Sequence, residues 1–223
     1  MLALLNGIGV LPSTVSWLNQ LCHNTRMRRV IDYPFSTPPY LVTDRLIVRG
    51  LESDDVQGIY RYMSQPDVTR YAIGGPHRQL SDSEHYVQSL TNAYKDNISG
   101  VWCIEKRDDR RLIGTAGFES WHPDHARGEI GYSIVPDLWR QGYTCEALKA
   151  IVKYAFETLG FNRLEAITHP ENVGSGKLLE KLRFTREGLL RQYANTGLQF
   201  VDTDMYSLLY DDYCRYYPLP ESK

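Results

Sequence analysis

Glu129-Ile-Gly-Tyr-Ser-Ile-Val-Pro136, followed at once by Asp137-Leu-Trp-Arg-Gln-Gly-Tyr-Thr-Cys-Glu-Ala-Leu148, is the stretch whose reading decides the fold. Ile130, Tyr132 and Ile134 alternate with Glu129, Gly131 and Ser133, the period-two pattern of a buried strand. Pro136 has no N–H to give a ladder and closes that strand. Apolar residues at Ala147, Leu148, Ile151, Val152, Ala155 and Phe156 then recur at three- and four-residue steps. They form one face of a helix reaching about Leu159, where Gly160 stops it. Between strand and helix, Trp139-Arg-Gln-Gly-Tyr-Thr144 makes a turn whose backbone N–H groups point over the helix start. Unpaired donors and the positive end of the helix dipole suit a phosphate there. A plain strand-to-helix connection, with Gly142 supplying only a permissive backbone angle, is the competing reading. The turn lacks the Gly-Lys-Ser/Thr end of a P-loop and the three glycines of a dinucleotide fingerprint.

Upstream, Arg45 to Leu51 alternates as a strand. Ser53-Asp-Asp55 caps a helix to about Ser64 that Pro66 ends, and a loop with Gly74, Gly75 and Pro76 follows. Ser81-Asp-Ser-Glu84 has the capping-box spacing and opens a second helix to about Tyr94. Val101 to Glu105 and Leu112 to Phe118 form a hairpin across Arg107-Asp-Asp-Arg110. The segment holding Glu119 and Asp124 reads as the loop feeding the central strand, with both acids as candidate contacts to substrate. Downstream, Arg163 to Thr168 is a strand that a right-handed crossover sets parallel to the central one. Asn172 to Lys181 is a short helix. Thr185 to Arg191 and Phe200 to Leu209 are the last strands, joined by a turn from Ala194 to Gly197. A ligand is expected where the parallel pair opens beyond its carboxyl ends.

A length of 223 residues with 42% hydrophobic content is expected to hold one domain with extra material, with two small domains as the alternative. The expected boundaries are 1–40 for an arm or tail, 41–210 for the domain and 211–223 for a tyrosine-rich tail. For the first segment three readings compete: an arm packing on the domain, a disordered tail, or upstream sequence foreign to the protein. A net charge of −2 gives no general affinity for nucleic acid. Cys22, Cys103, Cys145 and Cys214 are scattered without metal spacing and read as free thiols in a reducing, cytoplasmic setting. No run of eighteen apolar residues is present, so no membrane partner is expected. His122, His125 and His169 are too irregularly spaced for a metal site.

Three stretches together resemble the GNAT superfamily of acyl-CoA-dependent N-acetyltransferases, and within it the RimJ/RimL-like branch. They are Thr43-Asp-Arg-Leu-Ile-Val-Arg49, the Glu129–Ala147 stretch quoted above, and Asn172-Val-Gly-Ser175 followed by Leu178-Leu-Glu-Lys-Leu182 and Phe184. The resemblance implies an α+β fold with a mixed sheet of about seven mostly antiparallel strands, a central parallel pair splayed for acyl-CoA, and helices on both faces. It implies acetyl-CoA as co-substrate and an amine as acceptor, in a monomer or homodimer. Ile134 and Val135 would offer backbone groups to the pantetheine arm, and Arg140, Gln141, Gly142, Tyr143 and Thr144 would hold the pyrophosphate. Asn172 would bond the pantetheine, with helix N-cap as its plain alternative. Trp139 departs from the wider superfamily but is usual in this branch; Arg183 departs from the branch.

Acetyl transfer needs a neutral amine, a polarised thioester carbonyl and a proton for the departing thiolate. Glu129 is the candidate base, with pairing to Arg127 or Arg163 as its structural alternative. Ser175 is the candidate acid, with helix capping as its alternative; Tyr206 is a second candidate. Lys177 reads as solvated surface or as a contact to a CoA phosphate. Cys145, at a helix start without a neighbouring histidine, is assigned no catalytic role. Acceptor selectivity is expected in Tyr71 to Tyr94 and in the Ala194–Gly197 turn. The branch points to a protein α-amino group, such as that of a ribosomal protein. A small amine, or a non-catalytic acyl-CoA-binding module, is the alternative.

Overall fold

The computed structural model describes residues 36–72, 75–96, 100–196 and 199–217. The expectations for residues 1–35, for Gly74, for Gly197 and for 218–223 lie outside the described residues. Eight strands form one sheet in the order β1-β2-β3-β4-β5-β6-β8-β7. They are β1 (Leu41–Val42), β2 (Leu46–Arg49), β3 (Gly100–Lys106), β4 (Leu112–His122), β5 (Arg127–Ile134), β6 (Arg163–Thr168), β7 (Thr185–Asn195) and β8 (Phe200–Leu209). Every junction is antiparallel except β5 with β6, which is parallel, as the crossover rule requires. That parallel ladder covers only Arg127↔Arg163, Gly128↔Leu164 and Glu129↔Glu165. Beyond these residues both strands run on unpaired with each other, so the sheet parts in its middle.

Among the described residues, six helices accompany the sheet: α1 (Val56–Met63), α2 (Pro66–Thr69), α3 (Leu80–Lys95), α4 (Tyr143–Lys153), α5 (Val173–Lys181) and α6 (Tyr210–Tyr216). A 3-10 turn, Ser53–Asp55, leads into α1. Pro66 does not simply end a helix; it opens α2, where its missing N–H costs nothing. Asp82 caps α3 by accepting the N–H groups of Arg78 (2.8 Å) and Gln79 (3.2 Å), so the capping pair is Gln79 and Asp82 rather than Ser81 and Glu84. Ser83 is buried instead and lies 2.8 Å from His77 Nδ1. α4 passes into a π-helical turn, Tyr154–Thr158, before Gly160 turns the chain at φ +69°. The expected C-terminal tail contains α6. Tyr213 is buried there, stacked on Phe156 at 4.9 Å and on Tyr217 at 5.1 Å, and this aromatic burial orders the segment.

Side-chain alternation divides the helices between the two faces. Trp102, Ala116, Phe118, Gly128, Ile130 and Leu164 share one face. Trp102 packs edge-on to Phe118 at 5.4 Å and to Tyr154 at 5.8 Å, and Phe118 packs on Phe161 at 5.2 Å, which sets α4 and its extension against this side. Thr115, Gly131 and Ser133 share the other face, where Tyr62 of α1 lies 2.9 Å from Thr115 Oγ1 and the Tyr94 hydroxyl of α3 donates to Val101 O. α1 and α3 therefore cover the opposite side from α4. The fully buried Leu, Ile and Phe side chains of these two layers each contribute about 1.5–3 kcal/mol.

Candidate active site

The parted strands carry acid–base groups on both sides of the sheet. On the α1/α3 side, Glu129 stands at the last paired position of β5. Its two expected ion-pair partners are engaged elsewhere: Arg127 holds Glu165 at 2.6 Å, and Arg163 holds Glu165 at 2.7 Å and Glu187 at 2.5 Å. Glu129 thus has no ion pair among the described residues. Burial raises its pKa above the ordinary carboxylate value, and the charges of Glu119 and Glu165 add to the rise, against an opposing pull from Arg127. Tyr132 is on the opposite face.

Glu119 lies in β4 rather than in a loop, because β4 continues pairing with β5 as far as His122↔Arg127. The register slips between Phe118 and Ser120, which makes Glu119 the bulged residue and re-aims its side chain. The carboxylate lies across Gly131: a Cβ there would stand 2.4 Å from Glu119 Oε1. Glu119 is exposed, yet partial desolvation by its neighbours raises its pKa. Tyr86, half-buried in the same cleft, is pushed up to about 12, mainly by desolvation and further by Glu119. At the rim, Tyr71 stacks on His169 at 5.3 Å, bridging the segment after α2 to the end of β6. Asp124 sits in the 3-10 turn Pro123–His125.

On the other side of the sheet, the Tyr132 hydroxyl and Ser175 Oγ are 2.7 Å apart, joining β5 to α5 across the gap. Desolvation pushes the Tyr132 phenol up to about 12, and its bond to Ser175 pulls the other way. Asn172 is the N-cap of α5, its Oδ1 accepting the Ser175 N–H at 3.2 Å. Lys177 is exposed. Tyr206 is buried on β8, its hydroxyl 3.0 Å from where a Cβ on Gly176 would stand. A groove of about 240 Å³ opens beside these residues, lined in part by Thr168, Asn172, Lys177 and Asp204.

The turn after β5 is held open by specific contacts. The Trp139 indole N–H donates to Ile134 O at 2.9 Å, and the Gln141 amide donates to Asp137 O at 2.7 Å. Arg140 at φ +61° and Gly142 at φ +84° turn the chain so that α4 starts without a side-chain cap. Its first helical bond is Glu146 N–H to Gly142 O, 3.0 Å. Among the described residues, the N–H groups of Arg140, Gln141, Gly142, Tyr143, Thr144 and Cys145 have no acceptor. This donor set fits a diphosphate. Upstream, Val135 N–H is spent on Ile113 O at 2.8 Å, and Ile134 O is spent on Trp139. Antiparallel alternation then directs the N–H groups of Tyr132 and Ile134 toward the gap. Cys145 is buried beneath the turn.

A helix start stripped of acceptors, beside strands that separate between a carboxylate and a hydroxyl pair, is the architecture of a transferase taking an acyl group from a phosphorylated carrier. Residues 45–185 match the model of the Acetyltransferase (GNAT) domain; the chain belongs to this family and is an acetyltransferase. The Bacillus subtilis protein named uncharacterized N-acetyltransferase YoaA is 37% identical over 171 residues, 77% of this chain and 97% of that one. The [ribosomal protein uS5]-alanine N-acetyltransferase of Escherichia coli is 27% identical over 186 residues, 78% of this chain and 92% of that one. The crystal structure of a GNAT-family acetyltransferase from Bacillus anthracis superposes with a TM-score of 0.70 at 25% identity, covering 78% of this chain and 99% of that one. These relatives agree with the RimJ/RimL-like resemblance, and the family uses acetyl-CoA.

Glu129, Ser175 and the turn are all singled out from the sequence. Glu119 is singled out too, but as a loop residue, because the bulge that sets it in β4 leaves no local signature. Two further residues have no role assigned from sequence. Tyr132 looked like one more apolar position of a strand. Arg45 stood in a quoted stretch without a role, although a cation one strand away from a glycine turn was a visible signal.

Proposed function

We propose that this acetyltransferase acts on the α-amino group of a protein N-terminus, by direct transfer from acetyl-CoA in a ternary complex. The observation that carries the reading is the split of acid–base groups across the parted strands: unpaired carboxylates on one face, a hydroxyl pair on the other. Acetyl-CoA supplies a thioester whose carbonyl carbon is the electrophile. Glu129 takes a proton from the incoming ammonium, and a carboxylate with a raised pKa is suited to hold it. The Tyr132 and Ile134 N–H groups, directed into the gap, would be the donors that polarise the thioester carbonyl. As the new C–N bond forms and the C–S bond breaks, the Ser175 hydroxyl gives its proton to the sulfur and takes one from Tyr132 through their 2.7 Å contact; the second proton of the attacking nitrogen leaves to water, which returns one to Tyr132, so that amide, free thiol and the proton held on Glu129 are the products.

Glu119, beside Glu129 and without an ion pair among the described residues, makes the acceptor side of the cleft anionic and favours an amine that arrives protonated. The similarity to an enzyme named for the alanine of ribosomal protein uS5 supports a protein N-terminus over a small amine. Thiol release from acetyl-CoA is the test, measured against peptides with free Ala or Ser N-termini, polyamines and aminoglycosides. Turnover with the peptides alone is the expected result. Turnover with only a small amine would replace the substrate class, and acetyl-CoA binding without turnover of any amine would leave a binding module.

A further inference from the structure

The start of β2 is clasped to the start of α4, and one residue does most of the clasping. Arg45 Nε donates to Glu146 Oε2 at 2.6 Å, its backbone N–H donates to Glu146 Oε1 at 2.9 Å, and Nη1 donates to Gln141 O at 3.2 Å. The guanidinium lies over the Tyr143 ring, 4.1 Å from its centroid. Thr43 adds a hydroxyl bond of 2.6 Å to Glu146 Oε1. Arg45 therefore touches Gln141 and Tyr143, whose amides lack acceptors, and Glu146, whose N–H closes the first helical bond. Its remaining nitrogen, Nη2, stands 3.5 Å from where a Cβ on Gly142 would be, on the open side of the turn. The Arg45 side chain keeps 44% of its surface exposed.

Charge gives this clasp a purpose. Glu146 in the first turn of α4 stabilises the helix, but a bare carboxylate there would repel any phosphate arriving at the same amides. The ion pair with Arg45 cancels that repulsion. A guanidinium has donors on several edges, so two edges can be spent on Glu146 and Gln141 while the third still faces outward. The amides alone offer only partial positive charge, whereas a diphosphate carries full negative charges; a fixed cation beside Gly142 supplies the missing counter-charge.

We propose that Arg45 is a binding residue for the acetyl-CoA pyrophosphate, contacting it through Nη2 while positioning the 141–146 turn through its other edges. The inference rests on acetyl-CoA being the donor and is independent of the acceptor. The test is binding of CoA and dephospho-CoA by calorimetry, and of pantetheine by ligand-observed NMR, to wild type, Arg45→Ala and Arg45→Lys. Expected for Arg45→Ala is a loss of about ten- to a hundredfold, equal for CoA and dephospho-CoA, with pantetheine binding unchanged. Arg45→Lys keeps a cation on a similar stem and recovers part of the loss, which a purely structural role would not produce. It also provides the comparison if Arg45→Ala does not fold.

Unaltered CoA affinity in both variants overturns the assignment. So does an equal loss for pantetheine, which would mean that the turn has collapsed. A loss seen with CoA and absent with dephospho-CoA would move the contact to the 3′-phosphate and also overturns it. Wild-type protein that binds no CoA would instead defeat the reading of the donor.

Discussion

Ser175 Oγ lies 2.7 Å from the Tyr132 hydroxyl although 43 residues separate them in the chain. One comes from the capped first turn of α5 and the other from the part of β5 that runs on past its pairing with β6, so the contact exists only because those two strands have parted. If the two hydroxyls form one proton path, removing either breaks it. Ser175→Ala and Tyr132→Phe should each lower kcat on the order of 10²-fold while CoA affinity stays within a few-fold of wild type. The double variant should be no slower than the slower single one, because the residues act as a unit. Steady-state kinetics on the four proteins decides it; multiplicative losses would mean two independent roles.

The carboxylates predict a pH signature. As the proposed base, Glu129 would have to be ionised to accept a proton, so the rate should climb as pH rises through its pKa. Burial raises that pKa first, and Glu119 raises it further. Glu119→Gln removes a negative neighbour, which lowers the Glu129 pKa and moves the acid limb of kcat/KM to lower pH. Glu129→Gln should abolish the limb and cost about 10²- to 10⁴-fold. An acid limb that stays in place in Glu119→Gln would show that the two groups are not coupled.

Gly131 is where the bulge and the central strand meet. Gly131→Ala sets a Cβ 2.4 Å from Glu119 Oε1, and the side chain must leave its place. We expect a stability loss of about 1–3 kcal/mol, read from the urea midpoint. Adding Glu119→Ala should recover most of it, since the clashing atoms are then gone. No recovery would locate the strain in the backbone.

The closed end of the parallel pair is pinned by charge. Glu187 accepts Arg163 Nη1 at 2.8 Å and Nη2 at 2.5 Å and the Ser207 hydroxyl at 2.7 Å, and the Arg163 bond first of all lowers its pKa from 4.5 to about 2. A depressed carboxylate stabilises the fold above the unfolded pKa near 4.5, and the gain is lost as pH falls toward 2. Glu187→Gln should therefore be less stable than wild type at pH 7 and converge with it near pH 2. Solvent reaches the carboxylate, so the difference at neutral pH will be small. Thermal melts across that range test it, and a constant offset at every pH would contradict it.

Much of this architecture was legible because its signals are local. The alternation of Ile130, Tyr132 and Ile134, the proline stop and the three- and four-residue recurrence after Ala147 each depend on near neighbours, and Arg163–Thr168 coincides with the expected strand. What escaped depends on pairing across the chain. The length of β4 is set by how far β5 runs beside it, so Glu119 read as loop. The α6 segment is ordered by Phe156, more than fifty residues earlier, and read as tail. Asn172 and Ser175 were visible as a pair, and the N-cap alternative for Asn172 is a bond present in the structure. Ser175 gains its partner, Tyr132, only through the tertiary fold.

The three residue pairs that join β5 to β6 make this molecule two half-sheets, one of five strands and one of three, meeting along a short seam. The Arg127–Glu165–Arg163–Glu187 chain of ion pairs ties the halves together at that seam. An acyl carrier laid against the N–H groups of Tyr132 and Ile134 would act as a borrowed strand along the gap, and its departure would return the two halves to those three residue pairs and their ion pairs.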